Sequence, residues 1–344
     1  MADAAVLGRP LSSVATRIGA VAVALGTLAF AVMPLIAAPY QLSIATEVLI
    51  FAVLAMSIDI LAGYAGRTPL CHGAIFGVST YVAIYWTSSL GGALLPGMAL
   101  GILAATLIAA IFALLAIRTT GAYFLLLTLA LGMIVWGVTL RWTSVTGGEN
   151  GLRGTARPEA IADPTVFYYL VLAVVIVVTA LMWRLVHSPF GLTLRGIRDS
   201  DSRMRALGYH VPLHLFIAFT LSGFFAGIAG ALYALFNNFV SPSTVALSQS
   251  VEGLLMAIIG GVGTLFGAFI GSIAIIGLEN LVSQYTERWQ TVLGLMFILT
   301  MIFAPEGVLG RIRDLLAPPG DRQAMTPSLR ARTSGEARQV ATAS

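Results

Sequence analysis

Lysine is absent from this 344-residue chain: all 19 of its basic residues are arginine. A P-loop requires a lysine on the β- and γ-phosphates, so the chain carries none of its own, and Schiff-base chemistry on lysine is excluded on the same ground. Charge is scarce as well, at 10% of residues against 58% hydrophobic, with a mean hydropathy of +0.92. A water-soluble domain with a solvated face does not have that balance. The one cysteine, Cys71, cannot close an intramolecular disulfide, and no spacing of His, Cys, Asp and Glu suggests a metal site. Cys71 reads as a small apolar helix residue.

What is present is a succession of uncharged runs. "IGAVAVALGTLAFAVMPLIAA" (Ile18 to Ala38) and "TVFYYLVLAVVIVVTALMW" (Thr165 to Trp183) are each about the 20 residues that a helix needs to cross roughly 30 Å of hydrocarbon. The alternating ten-residue segments of a membrane β-barrel do not occur. Arg9 and Arg17 precede the first run, which is too long for a signal peptide and lacks a cleavage site, so it reads as a retained span.

The chain therefore reads as all-α, a polytopic helical membrane protein. About ten membrane segments follow from the runs and their breaks: 18–37, 44–62, 73–90, 95–117, 121–140, 165–186, 214–236, 250–262, 265–282 and 288–304. With both termini inside, fourteen arginines fall in cytoplasmic loops and tails, and only Arg141, Arg153, Arg157 and Arg288 fall outside, with Arg67 undecided. That bias selects the N-in, C-in orientation. The expected organisation is a cytoplasmic N-terminus (1–17), a transmembrane domain (18–316) and a disordered cytoplasmic tail (317–344), in which polar residues, proline and arginine follow no period.

Two connections are unusual. "RWTSVTGGENGLRGTARPEAIADP" (Arg141 to Pro164) is an external loop with turn chemistry at Thr146, Gly147, Gly148 and Asn150. The second, residues 187–213, is a long cytoplasmic loop with an expected amphipathic helix at about Asp199 to Leu207. Connections of that length inside a compact bundle usually exist to contact something.

Two membrane segments interrupt themselves. "GYAGRTPLCHGAIFG" (Gly63 to Gly77) and "IIGGVGTLFGAFIG" (Ile258 to Gly271) both place helix-breaking glycines ahead of a GAxxG core. A helix over 250–262 rises only about 20 Å, short of a full crossing, and reads as a half-span followed by a break. Backbone groups freed by a break cannot face lipid, so such segments sit inside the protein or along a watery path. Matching breaks in two halves of a chain point to a transport pathway. Gly63, Gly66, Gly260, Gly261 and Gly263, with Arg67, His72, Gly73 and Thr264, are the candidate pathway residues. For Gly73, Gly77, Gly267 and Gly271 the alternative of close helix packing stays equally open.

Ionisable groups inside the runs are few: Glu47, Asp59, Glu252 and Glu279, with Arg67 and His72 in the first break. Intramembrane charges are functional candidates by default. Asp59 and Arg67 could instead neutralise each other across the break, and His72 could equally be a satisfied interior histidine.

At this point the chain resembles a family, the permease subunits of branched-chain amino-acid ABC importers of the LivM type. The resemblance spans roughly residues 20–315 and rests on five motifs in order. "GYAGRTPLCHGAIFG" is similar to GYxGQxSxGHxAFxG, "RTTGAYFLLLTLALG" to RTRGxYFxxxTLA, and "RWTSVTGGENGL" to RxTxxTGGxxGL. "SPFGLTLRGIRDSDSRMRALGY" is similar to SPxGRxLxAIRxxExxAxxLG, and "GGVGTLFGAFIG" to GGxGTxxGPxxG.

The resemblance implies a transport subunit and not an enzyme, with no cofactor of its own because ATP and Mg reside on partner subunits. The implied partners are a second homologous permease, two cytoplasmic ABC ATPase subunits, a soluble substrate-binding protein and the lipid of a bacterial cytoplasmic membrane, with no nucleic acid. It implies that Arg198, Asp199, Asp201, Arg203, Ala206, Leu207 and Gly208 form the helix that couples to the ATPase, with Leu207 as the apolar anchor. Thr146, Gly147, Gly148, Glu149 and Asn150 would face the binding protein. Arg67, Pro69 and Cys71 depart from the family's Gln, Ser and Gly, and Ala268 from its proline. A fixed charge at Arg67 suggests an anionic or carboxylate-bearing solute, so the substrate is left open between branched-chain amino acids and urea, amides or aromatic acids. An ion-coupled secondary transporter of a small carboxylate is the rival class; it would need no long structured cytoplasmic loop, and dependence on a separate ATPase separates the two. A rhomboid-like membrane protease is disfavoured because no GxSG precedes His72 and no histidine follows His214.

Overall fold

The computed structural model describes residues 26–285 apart from Ala156, together with residues 291, 292, 294, 295 and 298. The expected N-terminal stretch 1–17, most of the tenth segment 288–304, the tail 317–344 and both termini lie outside the described residues.

The helices are α1 (Gly26–Ile36), α2 (Pro39–Asp59), α3 (His72–Ser88), α4 (Leu94–Ala116), α5 (Ala122–Arg141), α6 (Thr143–Thr146), α7 (Pro164–Val186), α8 (Pro189–Asp199), α9 (Asp201–Ala206), α10 (Val211–Asn237), α11 (Leu247–Gly260) and α12 (Gly267–Val282). Two-residue strands β1 (Leu152–Arg153) and β2 (Phe239–Val240) pair antiparallel, with Leu152 opposite Val240. Among the described residues, five helices are long and apolar enough to cross a membrane: α2 with its π-helical extension to Tyr64, α4, α5, α7 and α10. Helices α1, α11 and α12 are apolar but shorter, and α3 has 17 residues.

Burial divides these helices into a centre and a rim. The apolar window of α2 is 89% buried and that of α10 is 67%, against 28% for α4 and α5. Helix α4 shows how a rim helix is built: Gly101, Ala105, Ala109, Ala113 and Ala116 face inward, while Leu103, Leu107, Ile111 and Leu114 are exposed. Lipid is as apolar as leucine, so association of such helices relies on close van der Waals approach, which small residues permit.

Close approach is most severe along α10. A Cβ on Gly223 would overlap Ala109, one on Gly227 would press on Ala105, and one on Gly230 would overlap the Phe76 carbonyl. Helices α3 and α10 run side by side in the same direction: Ser79 Oγ donates to the Gly227 carbonyl at 2.7 Å and Thr80 Oγ1 to the Gly230 carbonyl at 2.9 Å. Helix α2 runs against them, with Ser57 beside Ser222 and the Phe51 ring 5.9 Å from that of Tyr233. Helix α12 folds back along α11, so that Gly267 meets Gly260 and Gly271 meets the Met256 carbonyl.

The long loop departs from its sequence-based expectation. In place of one helix over about 199–207 there are two, because Ser200 is extended at φ −165° and splits them. Ser188 caps α8 by accepting from the Gly191 N–H, and Ser200 caps α9 by accepting from the Arg203 N–H. Leu194, Ile197 and Met204 turn inward and are buried.

The Arg141 to Pro164 connection is ordered by Arg157, whose guanidinium donates to the carbonyls of Leu235 (2.8 Å) and Phe236 (2.6 Å) at the end of α10. The same group lies 4.0 Å from the centre of the Phe167 ring on α7. A cation over the last carbonyls of a helix complements its dipole, while burial pulls the guanidinium below its ordinary pKa.

Glycine packing of this kind makes a graded prediction. Gly271→Val, which must push into the Met256 carbonyl, is expected to lower stability by about 1–3 kcal/mol or more. Gly277→Ala, with open space around its Cβ position, is expected to cost nothing. Thermal unfolding of the detergent-solubilised protein compares the two.

Candidate functional site

The two breaks meet. The first begins where α2 leaves the i→i−4 ladder at a single π turn, Ile60–Tyr64, a feature that often marks functional sites in helices. The second begins where α11 stops at Gly260, and Gly261 and Gly263 take φ values of 115° and 82°, open to glycine but strained for other residues. Gly63 and Gly263 lie back to back, so closely that a Cβ on Gly63 would occupy the space of the Gly263 backbone.

Asp59 joins the two. Its Oδ1 accepts from the Gly263 N–H at 2.6 Å, and the residue is only 2% exposed. Its Oδ2 has no hydrogen-bond partner among the described residues. Around the second break Thr264 Oγ1 donates to the Gly261 carbonyl at 2.6 Å, and Gly260 and Gly267 are in backbone contact.

From the long loop, Arg198 at the end of α8 reaches the same point. Its Nη1 donates to the Gly63 carbonyl at 2.6 Å, and its aliphatic stem packs against Gly66, which has φ +67°. Arg67 reaches the other way. It donates to the Thr119 carbonyl at 2.7 Å and contacts Asp201 Oδ2 at 3.4 Å. The cross-break pairing of Asp59 with Arg67 suggested by the sequence is therefore replaced: Asp59 binds a backbone amide, and Arg67 binds a carbonyl and a carboxylate of the long loop.

His72, Gly73 and Cys71 sit deeper in the bundle, where the chain re-enters helix. His72 is fully buried, with Nε2 at 2.6 Å from Ser222 Oγ. Ser222 Oγ donates its single proton to the Ser57 carbonyl at 2.5 Å, so the ring must donate from Nε2–H and leave Nδ1 bare. Nδ1 has no partner among the described residues. The Gly73 N–H donates to Ser250 Oγ at 2.9 Å, linking the starts of α3 and α11.

The remaining candidates lie at the two ends. At one, Asp201 also accepts from Arg205 Nε at 2.8 Å, which holds the Arg205 guanidinium above its ordinary pKa. Asp199, Arg203, Ala206, Leu207 and Gly208 are exposed there, Leu207 at 72%. At the other, Thr146 Oγ1 donates to the Thr139 carbonyl at 2.6 Å, Gly147 and Gly148 take positive φ, and Glu149 and Asn150 are exposed.

Comparison with known proteins now decides the family. The family described as "Branched-chain amino acid transport system / permease component" matches residues 40–304. The chain belongs to this permease family. It is 26% identical over 321 residues to the high-affinity branched-chain amino acid transport system permease protein LivM of Escherichia coli (strain K12), covering 86% of this chain and 75% of that one. It is 22% identical over 288 residues to the corresponding permease protein LivH of Salmonella typhimurium (strain LT2), covering 76% and 91%. The autoinducer 2 import system permease protein LsrC of Klebsiella pneumoniae is 28% identical over 192 residues, covering 53% of each. No solved structure matches the chain. These relatives are permease components of transport systems, so the chain stands among transport permeases.

Asp59, Ser222 and Ser250 are site residues that the motifs do not pick out. Asp59 was visible as a charge inside an apolar run, but its partner lies 204 residues away. The two serines carry no sequence signal, since hydroxyls are common in packed membrane helices. The buried His72–Ser222–Ser57 chain in this permease is testable: Ser222→Ala leaves the His72 ring without a hydrogen-bond partner among the described residues and is expected to cost about 1–3 kcal/mol of stability, read as a lowered thermal midpoint in detergent.

Proposed function

We propose that this chain is one permease subunit of an ATP-driven ABC importer. It works with a second, homologous permease and two cytoplasmic ATPase subunits, and moves a small solute handed over by a soluble binding protein across a bacterial cytoplasmic membrane. The observation that carries the reading is the α8–α9 loop. Outside the apolar spans it presents Arg203, Ala206, Leu207 and Gly208 to solvent, and the family motif that the loop carries is the one shared by importer permeases. Leucine exposed at the tip of a polar loop fits an anchor for a cleft on a partner.

With no lysine in the chain, the nucleotide-binding P-loop and its Mg belong to the partner subunits. The work left to this chain is mechanical: ATP binding closes the ATPase pair, the loop moves as a rigid body, and the bundle changes the side to which its pathway opens. No covalent step on the solute is required. The family description and the names of LivM and LivH favour branched-chain amino acids as the solute. The similarity to LsrC supports a second reading, in which the same scaffold carries another small solute.

Mild detergent extraction from the native membrane, followed by an ATPase assay on whatever co-purifies, tests the proposal. An ATPase and a second permease are expected, with hydrolysis stimulated by the binding protein and one class of solute. Isolation of the chain alone, with ATP-independent transport in liposomes, would replace it with a secondary transporter. Within the assembled importer, Leu207→Asp is expected to reduce co-purified ATPase and uptake by about tenfold or more, the loss typical of an interface anchor, with the permease still inserted and monodisperse.

A further inference from the structure

Arg198 lies within the motif assigned above to ATPase contact, and its half-exposed side chain, with Nε 3.6 Å from Asp199 Oδ1, also reaches back into the bundle. It donates to the carbonyl of Gly63 inside the first break. That carbonyl belongs to the π turn, where the regular ladder is interrupted, and in a membrane protein an unpaired carbonyl is costly. The carboxylate four residues before Gly63, Asp59, accepts the Gly263 N–H of the second break. Three pieces of chain far apart in sequence are thus tied in series: α8, the first break and the second break.

We propose that Arg198 is a positioning residue that transmits movement of the α8–α9 loop to both breaks, by holding the Gly63 carbonyl while Asp59 holds the Gly263 amide. The inference rests on the importer reading above and adds the route by which the loop reaches the pathway. Arg67 supplies a parallel, weaker tie in the opposite sense: it extends from the first break to Asp201 at the start of α9, across 3.4 Å. Because Gly63 and Gly263 are in backbone contact and no side chain fits between them, a pull on one break cannot be absorbed by repacking. The second break has to follow, and positive φ at Gly261 and Gly263 gives it the freedom to do so.

The chain contains its own reporter. Cys71, its single cysteine, closes the first break and is fully buried. In the assembled importer, labelling of this chain by a small membrane-permeant maleimide is expected to differ at least about fivefold between the nucleotide-free and vanadate-trapped states, the size of an ordinary allosteric coupling. In Arg198→Ala the difference is expected to collapse, because the loop moves without the breaks. Solute transported per ATP hydrolysed is expected to fall about tenfold, as for loss of a hydrogen bond from a charged group. Arg198→Lys, which keeps the charge but not the reach and fork of the guanidinium, is expected to fall between, and serves if the alanine variant does not assemble.

A residue that only stabilised the fold would shift labelling equally in both states, and that result overturns the proposal. So does wild-type state dependence retained in Arg198→Ala, or a wild-type importer whose Cys71 labels at the same rate in both states. Loss of co-purified ATPase in Arg198→Ala, with the transport-to-hydrolysis ratio of the remaining complexes intact, would make Arg198 a docking residue instead. Failure of the importer reading is distinct from all of these: the wild-type chain would then bring no ATPase with it.

Discussion

A chain inside a membrane can interrupt a helix only if the protein itself supplies partners for the backbone groups that are released. Everything around the Gly63–Gly263 contact follows from that requirement. The released amide of Gly263 takes a carboxylate oxygen of Asp59, and the carbonyl of Gly63 takes a guanidinium from Arg198. A buried carboxyl group and a half-exposed guanidinium are thereby joined through the backbone of the two breaks. Asp59, buried as it is, needs such a partner for its carboxyl oxygen.

The same requirement explains why small residues line α10, α4 and the α11–α12 hairpin. Hydroxyl-to-carbonyl bonds such as Ser79 to Gly227 and Thr80 to Gly230 need helix axes closer than leucine or valine would allow. The polar links and the glycines are therefore one device seen from two sides. Bulky apolar residues are displaced to the rim, where lipid meets them, which is why the exposed face of α4 is its most apolar face.

Much of this was legible from the residues. The uncharged runs mark the long helices, and the glycine clusters mark both places where helices break. The ordered motifs identify the family that the comparison with known proteins then shows. Three things were not legible, each for a physical reason. The partners of Asp59 and Arg67 depend on which segments the bundle brings together, and a short-range guess paired them with each other. The split of the long loop into α8 and α9 turns on one extended residue, Ser200, although serine followed by proline at 188 and 189 was a readable helix start. The β1–β2 pair is two residues long on each side and spans 88 positions, too short to leave an alternating pattern.

That small pair and Arg157 also set the mechanics of the region between them. Arg157 ties the start of α7 to the end of α10, and β1 pairs with β2 immediately beyond α10. Helices α7 and α10 are therefore riveted together at the end of the bundle opposite α8 and α9. Along their lengths both helices pack against α2. The breaks lie at the other end of the bundle, beside α8 and α9, where Arg198 reaches the Gly63 carbonyl.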